Sequence, residues 1–375
     1  MAVTISKHPS AVSFAGNPVL LEAYTELSEK TFLKVCAEVT VQLYWLSYPQ
    51  MEAVHTLSIP TVGNYDKVTF DLSDLLLSAL AQNAIERNKT LAGGTATYTA
   101  GHAKYSVKVW DEYLDEHSEI VSTKDTASVS SENKIALPGK YTDMQRLIRP
   151  EDTDAFLGAA CILSNKPDFE AVPLGGMITI PVYAKEAEDV RNTLDGSVSM
   201  GLHTMYGNSC RWKTFVLPDS VGVGEHSIEW TDLEVPPFFF HVVPQQPFAR
   251  YFEFVNRYGA VESIYTYGRA KKKTSLKQER QVKRHNTSFR PSSGYVKVTL
   301  QEEGTLELST GPISREWAKW FVQEFLTSEQ AWMYSEEADD MIPILIESEE
   351  AVNLYDESEA EVLDLPFKVI MCING

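Results

Sequence analysis

The ten residues AEVTVQLYWL, at positions 37–46, alternate between apolar and more polar side chains. Val39 and Val41 fall on one side of this alternation, and Thr40 and Gln42 fall on the other. A period of two turns one set of side chains toward a core and the other toward solvent, so the stretch predicts a half-buried β-strand. Similar strand patterns recur along the chain, at 11–14, 67–72, 96–99, 105–110, 177–183, 213–217, 226–230, 249–255, 263–267, 295–301, 306–309, 342–346 and 362–371.

Two helices are expected among these strands. Ser73 and Asp74 precede a leucine-rich run to Ala81, and a Ser N-cap with an acid in the first turn is a helix start signal. Ser314 is placed to cap a second helix reaching about Met333, and we expect its apolar face to pack on its own domain's sheet. That face contains Trp317, Trp320, Phe321, Phe325 and Leu326. The sequence therefore predicts a mainly β protein with a few helices, built of tandem β-sandwich or barrel domains, the C-terminal one with a packed helix.

At 375 residues the chain is longer than one ordinary domain. The Ser/Thr/Asp/Lys-rich stretch at 118–140 predicts a boundary loop, and the proline-flanked apolar run at 236–244 predicts an edge strand or a domain crossing. We therefore predict an N-terminal β-sandwich domain at 1–130, a second β-rich domain at 131–245 and a C-terminal assembly domain at 246–375.

The composition excludes several classes of protein. Apolar residues make up 43% of the chain, which is enough to bury a sizeable core, and the formal net charge of −19 argues against general binding of nucleic acid or anionic membranes. No signal-peptide pattern opens the sequence and no apolar run has the length of a bilayer span, so we expect a soluble protein without membrane insertion. We expect the four cysteines to be reduced core residues, namely Cys36, Cys161, Cys210 and Cys372.

No motif in the sequence predicts catalysis, a metal or a cofactor. The eight histidines show no HExxH or HxH spacing, and Gly222 and Gly224 lack the third glycine of a dinucleotide-binding loop. Carboxylate pairs such as Asp111 with Glu112 leave a glycan-cleaving enzyme as an open alternative, because one sequence does not fix their separation in space. We expect a non-enzymatic protein with no cofactor, and seven tryptophans that serve mainly as core residues rather than as a sugar-binding platform.

The charge is unevenly distributed along the C-terminal segment. Between 269 and 290 nine Lys and Arg face one acid, whereas 336–364 holds twelve acids and no Lys or Arg. One reading is two solvated surfaces; the other is complementary docking between neighbouring copies, in which a basic loop at 269–290 packs against an acidic surface. The assembly interface predicted in this loop comprises Arg269, Lys271, Lys272, Lys273, Lys277, Arg280, Lys283 and Arg284.

The order of several short motifs resembles that of poorly characterised proteins encoded by prophages of Bacteroides-type bacteria. These motifs span most of the chain and include 13–18 (SFAGNP), 70–76 (FDLSDLL), 105–112 (YSVKVWDE), 137–139 (LPG), 254–262 (FVNRYGAVE) and 342–346 (IPILI). The resemblance implies a structural protein of a phage tail or baseplate and brings no catalytic residues with it.

From the resemblance we expect a virion protein that is assembled in the bacterial host cytoplasm. Its expected partners are other copies of itself, in a symmetric ring, and neighbouring tail proteins, without a specific nucleic acid. The alternative is a carbohydrate-binding or host-adhesion module of the virion, whose partner would be a host surface glycan.

Overall fold

The computed structural model describes residues 3–25, 31–45, 48–61, 66–81, 97–99, 101–140, 157–186, 188–205, 207, 209–282, 295–347 and 362–371. Strands account for 57% of the structure and helices for 8%, arranged in several separate sheets. The expectation of a mainly β protein of tandem sandwich-type domains is therefore confirmed. Among the described residues, no helix is both long enough and apolar enough to cross a membrane.

Among the described residues, the N-terminal part of the chain contains eleven strands and one helix, the middle part eight strands, and the C-terminal part nine strands and one short helix. In chain order they are β1 (Val3–Lys7), β2 (Val12–Phe14), β3 (Leu20–Thr25), β4 (Thr31–Trp45), β5 (Tyr48–Pro60), β6 (Val68–Asp71), α1 (Ser73–Ala81), β7 (Thr97–Thr99), β8 (His102–Leu114), β9 (Ile120–Ser122), β10 (Val129–Ser130) and β11 (Lys134–Leu137).

The middle part continues with eight strands. They are β12 (Ala160–Ile162), β13 (Glu170–Pro173), β14 (Met177–Ala184), β15 (Glu188–Leu194), β16 (Val198–Met205), β17 (Ser209–Val216), β18 (Gly224–Trp230) and β19 (Phe238–Val243).

The C-terminal part has nine strands around one short helix. They are β20 (Arg250–Val255), β21 (Val261–Thr266), β22 (Lys271–Val282), β23 (Tyr295–Ser309), β24 (Ile313–Ser314), α2 (Arg315–Trp320) continued by a π-helical turn (Phe321–Phe325), β25 (Ala331–Ser335), β26 (Asp340–Glu347), β27 (Val362–Leu363) and β28 (Pro366–Met371).

Two sheets in the N-terminal part enclose one apolar core. One sheet has the order β1-β3-β6, and the other has the order β2-β11-β8-β4-β5, with β9 and β10 also paired to β8. Leu21 and Phe70 from the first sheet share the core with Val39 and Val107 from the second, and Leu76 of α1 joins them. The alternating residues from position 37 onward therefore lie on the central strand β4, with their apolar side buried, and α1 has the bounds that its cap predicts.

The middle part holds two further sheets around a second core. Their orders are β12-β14-β17-β7 and β13-β19-β18-β15-β16. The proline-flanked run at 236–244 is the strand β19, and it lies between β13 and β18, so the expectation of an edge strand is wrong. The prolines stand just outside the strand, where no ladder N–H is needed, so they do not limit it to an edge.

A seven-stranded sheet dominates the C-terminal part, in the order β21-β20-β25-β26-β28-β23-β22. The predicted apolar helix face packs on it. The Phe325 ring lies 5.3 Å from Phe254 and 5.7 Å from Phe367, centroid to centroid, both edge-on. Phe321 and Trp320 are also buried, as predicted, whereas Trp317 is only half-buried.

The C-terminal helix is shorter than the sequence predicts. It begins after Ser314, whose hydroxyl accepts a hydrogen bond from the Trp317 backbone N–H, and it ends at Phe325 rather than near Met333. The hydroxyl of Ser328 donates to the carbonyl of Val255, which ties the chain to β20 and ends the helical course. The strand β25 then begins at Ala331.

The three parts of the chain contact one another through a fourth apolar cluster. It unites Phe14 and Leu137 with Tyr183 and Trp212 of the middle part and with Tyr258 of the C-terminal part. Strand β7 pairs with β17 of the middle part, and β11, which lies after residue 130, pairs with β2 and β8. The stretch at 118–140 contains β9, β10 and β11, so it is not the uninterrupted loop that its composition predicts. The domain boundaries themselves stay a prediction.

Candidate functional site

The basic segment predicted as a loop is a β-strand over most of its described length. Lys271, Lys272 and Lys273 open β22 and are exposed to solvent. Lys277 and Arg280 lie further along the same strand, and Arg269 precedes it. The last two residues of the predicted interface lie outside the described residues, namely Lys283 and Arg284.

The strand β22 lies at the edge of the seven-stranded sheet and pairs only with β23 among the described strands. Their pairing runs from Lys271 opposite Glu307 to Val282 opposite Tyr295. Among the described residues, the next strand, β28, pairs with β23 from Gly304 to Ser309. Within the described part of the chain, the far part of the hairpin is therefore a two-stranded ribbon, about 26 Å long at the usual rise per residue.

Two contacts within the chain already involve this basic segment. The Lys271 ammonium lies 3.5 Å from the Glu307 carboxylate across the hairpin, with both side chains open to solvent. The Arg269 guanidinium lies 5.4 Å from the centroid of the Phe248 ring. Exposed pairs of this kind contribute at most about 1 kcal/mol to the stability of the fold. Stability therefore does not explain why so many cations lie on one edge.

Four described acids of the acidic stretch lie at the same end of the sheet as the ribbon, namely Glu336, Glu337, Asp339 and Asp340, whereas Glu347 and Asp364 lie toward the opposite end. β28 aligns Met371 with Gly304 of β23 on one side and with Ile344 of β26 on the other. Beyond the level of Met371, the turn before Asp340 and the ribbon extend in the same direction. The acids at 348–361 lie outside the described residues, so the predicted docking of basic on acidic surface stays a prediction.

A second candidate site is a cleft of about 190 Å³ where the middle and C-terminal parts meet. Three separate stretches of chain form its walls: the start of β13, the end of β21 and the start of α2. The lining residues are Phe169, Glu170, Ala171, Ile264, Tyr265, Tyr267, Thr310, Pro312, Ile313, Ser314, Trp317 and Phe321. Aromatic rings thus supply much of the surface, whereas the Glu170 side chain is almost completely buried behind the wall.

Hydrogen bonds hold the cleft's two tyrosines in place. The Tyr267 hydroxyl donates to the backbone carbonyl of Ala171, and the Met177 backbone N–H donates to the Tyr265 hydroxyl at 2.8 Å. The two rings stack with 6.3 Å between centroids. The tyrosines are therefore fixed by the fold before any ligand arrives.

Glu170 belongs to a set of buried charges beneath the cleft, which we call the polar junction and which comprises Lys166, Glu170, Arg257, Glu262 and Glu324. The Lys166 ammonium donates to the Glu170 carboxylate at 2.9 Å and also to the Ser263 carbonyl. Burial raises the pKa of Glu170, and the charge of Lys166 opposes that rise. The ammonium also lies 5.4 Å from the centroid of the Trp320 ring.

The other two carboxyls of the polar junction are also strongly desolvated. Burial raises the pKa of Glu262 to about 7, although the charge of Lys166 and a hydrogen bond from the Ser164 hydroxyl oppose the shift. Burial also raises the pKa of Glu324, against the effect of its ion pair with Arg257. Three carboxyls thus share two cations, and a group with a pKa near 7 exchanges its proton in the neutral range.

Neither the cleft nor the polar junction follows from the sequence alone. Phe169, Tyr267 and Trp317 are far apart in the chain, and no local pattern links them. One signal is present in the string at 254–262, where Arg257 and Glu262 interrupt an otherwise apolar and aromatic stretch. Charged residues in a buried segment are almost never solitary, so they indicate a buried partner.

The described histidines and cysteines form no site. Among the described residues, no group of three or more His, Cys, Asp or Glu is arranged to hold a metal ion. Cys36 and Cys210 are buried and Cys161 is half-buried, all three as free thiols, in agreement with the sequence. Cys372 lies outside the described residues.

No family model and no curated protein matches this chain. Among solved structures, the crystal structure of CBD12 from CALX1.2 is 9% identical, with a TM-score of 0.17, and the match covers 61% of this chain and 80% of the other. The BSP domain of a biofilm-associated protein is 10% identical, with a TM-score of 0.18, and the match covers 82% of this chain and 63% of the other. With TM-scores this low, neither likeness supports a statement about function.

Proposed function

We propose that this chain is a non-enzymatic structural protein of a phage tail or baseplate, which assembles with copies of itself and with neighbouring tail proteins in the bacterial host cytoplasm. The observation that carries the proposal is the exposed basic edge strand β22 at the base of a long two-stranded ribbon. The order of the short motifs from 13–18 to 342–346 supplies the link to phage tails. The virion is the proposed location.

The strand β22 forms one edge of the seven-stranded sheet. An edge strand presents unpaired backbone N–H and C=O groups, and proteins often place lysines there to prevent unwanted pairing. That protective role suits a monomer. In this chain, however, the lysines accompany a ribbon that extends beyond the sheet, while the whole molecule carries a net charge of −19. A positive arm on a negative body is complementary to the body of the next copy.

Reversal of three charges tests the proposal. With Lys271, Lys272 and Lys273 all changed to Glu, we expect the protein to fold normally, because exposed charges contribute little to stability. We expect self-association to fall sharply, as measured by light scattering and sedimentation. For the native protein, association should weaken as salt is raised, because screening acts over about 8 Å at physiological ionic strength.

A matched control separates the basic edge from net charge alone. Lys67, Lys185 and Lys319 are exposed lysines outside β22, and changing all three to Glu gives the same change in net charge. The control should associate like the native protein. If both triple variants associate normally at low salt, the basic edge is not an assembly contact and the proposal fails.

A carbohydrate-binding or host-adhesion role is the second candidate function. The aromatic cleft with the exposed Ser314 hydroxyl on its wall favours it, because ligand sites combine apolar and aromatic walls with a few placed polar groups. A glycan array probed with the whole protein tests this role independently of self-association.

A further inference from the structure

Phe169 is an unusual residue at the rim of the cleft. Its side chain is 47% exposed, and its backbone φ is +63°, in the left-handed region that bulky residues rarely adopt. The fold thus holds a large aromatic side chain open to solvent at a cost in backbone strain. Such strain is concentrated at binding and active sites, where the surrounding structure maintains it.

The size of the cleft limits what it can hold. Its volume of about 190 Å³ is below the roughly 300–1,000 Å³ of pockets for drug-sized ligands. The cleft therefore suits a small unit, such as one six-membered sugar ring, rather than a whole oligosaccharide.

The chemistry of the walls also fits a sugar. The aromatic faces offer flat apolar surface to the C–H face of a pyranose, and the exposed hydroxyl of Ser314 can both donate to and accept from a sugar hydroxyl. The Glu170 carboxylate is buried behind the wall and paired with Lys166, so no exposed lining side chain of the cleft is charged. Such a surface suits a neutral ligand rather than a charged one.

We propose that the cleft binds one neutral pyranose ring of a surface glycan, held between the aromatic side chains of Phe169, Tyr267 and Trp317 with a sugar hydroxyl hydrogen-bonded to the Ser314 hydroxyl. This inference rests on the second candidate function and names its site and ligand class. The Phe239 ring lies 6.0 Å from that of Phe169 and is 41% exposed, which extends the aromatic surface beyond the cleft. A second sugar unit therefore has a surface to rest on, and disaccharides bind more tightly than monosaccharides.

The experiment titrates the full chain with methyl glycosides of neutral hexoses and N-acetylhexosamines, and with their disaccharides. Saturation-transfer NMR and tryptophan fluorescence report binding, because Trp317 lines the cleft. The variant is Phe169→Ala, and the matched control is Phe248→Ala, which removes an exposed aromatic ring that does not line the cleft. We expect the first to weaken binding about tenfold, equivalent to about 1.4 kcal/mol, and the second to leave it unchanged. Near-UV circular dichroism checks that both variants are folded.

Four results would overturn the inference, and each has a different consequence for the two proposed functions. If the native protein binds no neutral glycoside in the millimolar range, the inference and the second candidate function both fail, while the assembly proposal stands. If binding occurs but Phe169→Ala leaves it unchanged, only the cleft assignment fails. A preference for acidic sugars contradicts the assignment of a neutral ligand to a cleft without an exposed charge. Loss of self-association in Phe169→Ala without any sugar binding makes the cleft an interface between copies.

Discussion

The Lys166 ammonium lies 2.9 Å from the Glu170 carboxylate, and both side chains are almost completely shielded from water, at 1% and 3% exposure. Lys166 comes from the segment before β13, and its second partner, the Ser263 carbonyl, lies on β21 in the C-terminal part. The pair therefore links the middle and C-terminal parts of the chain. It also fixes Glu170 behind the wall of the cleft.

Breaking this pair on one side should be strongly destabilising. Lys166→Met leaves Glu170 buried without its cation, and we expect the free energy of unfolding to fall by about 3–5 kcal/mol. The double variant Lys166→Met with Glu170→Leu should recover much of the loss, because it leaves no uncompensated buried charge. Urea unfolding of the single and double variants measures the difference. Equal stability of Lys166→Met and the native protein would show that the pair is open to water in solution.

The two tryptophans of the C-terminal helix should differ in their contribution to stability. Trp320 is 4% exposed and lies 5.8 Å from the Phe254 ring, whereas Trp317 is half-buried at the cleft. Trp320→Ala should cost about 3–5 kcal/mol as a large-to-small core substitution. Trp317→Ala should cost about 1–2 kcal/mol, since part of its surface stays in water in either state. The assignment is wrong if thermal and urea unfolding show that Trp317→Ala lowers stability more than Trp320→Ala does.

The sequence predicts those parts of the fold in which one side of an element faces a core. The alternation around Val39 identifies β4, and the Ser73 cap identifies α1. The basic strand β22 has the sequence of a loop because its first three lysines are all exposed, so burial imposes no apolar alternation there. Its strand structure comes from backbone pairing with β23, which leaves no trace in the sequence.

The candidate cleft is not predictable for a different reason. Its walls come from three stretches of chain, and only the packing of β21 against β13 and α2 brings Phe169 close to Trp317. The sequence also overstates the extent of the helix, since Trp332 and Met333 continue an apolar pattern but belong to β25. Apolar residues alone do not distinguish the last turn of a helix from the strand that follows it.

Two glycines should be essential where two turns of the chain cross. Gly139 has a φ of +88°, and a Cβ atom there would lie 2.0 Å from the Tyr258 backbone carbon. Gly259 has a φ of +73°, and a Cβ atom there would lie 2.7 Å from the Pro138 backbone carbon. Gly139→Ala should therefore cost about 2–4 kcal/mol, because it adds both backbone strain and a clash between main chains.

Gly222→Ala provides the control for this substitution. A Cβ atom at Gly222 would meet no heavy atom within 4 Å, and its backbone has no left-handed φ. We expect its melting temperature to match that of the native protein, measured by calorimetry. Equal melting temperatures for Gly139→Ala and the native protein would mean that the two turns do not cross in the way described.

The protonation of Glu262 should make stability depend on pH in the neutral range. Its pKa in the folded protein is about 7, against an ordinary value of 4.5, because burial disfavours the charged form. Between about pH 4.5 and 7, Glu262 therefore keeps its proton in the folded state but has released it in the unfolded state. The stabilising effect of that proton is complete below about pH 4.5 and is lost as pH rises through 7. A shift of this size corresponds to about 3 kcal/mol, as an upper limit.

Glu262→Gln isolates this contribution, because glutamine stays neutral at every pH and still offers an oxygen to the Ser164 hydroxyl. We expect the variant to be about as stable as the native protein near pH 5 and more stable at pH 8. The difference between their free energies of unfolding should therefore grow between these two pH values. Urea unfolding at a series of pH values measures the gap. Glu234→Gln, at an exposed position, serves as the control and should parallel the native protein throughout. A constant difference between Glu262→Gln and the native protein from pH 5 to pH 8 would show that Glu262 does not titrate in this range.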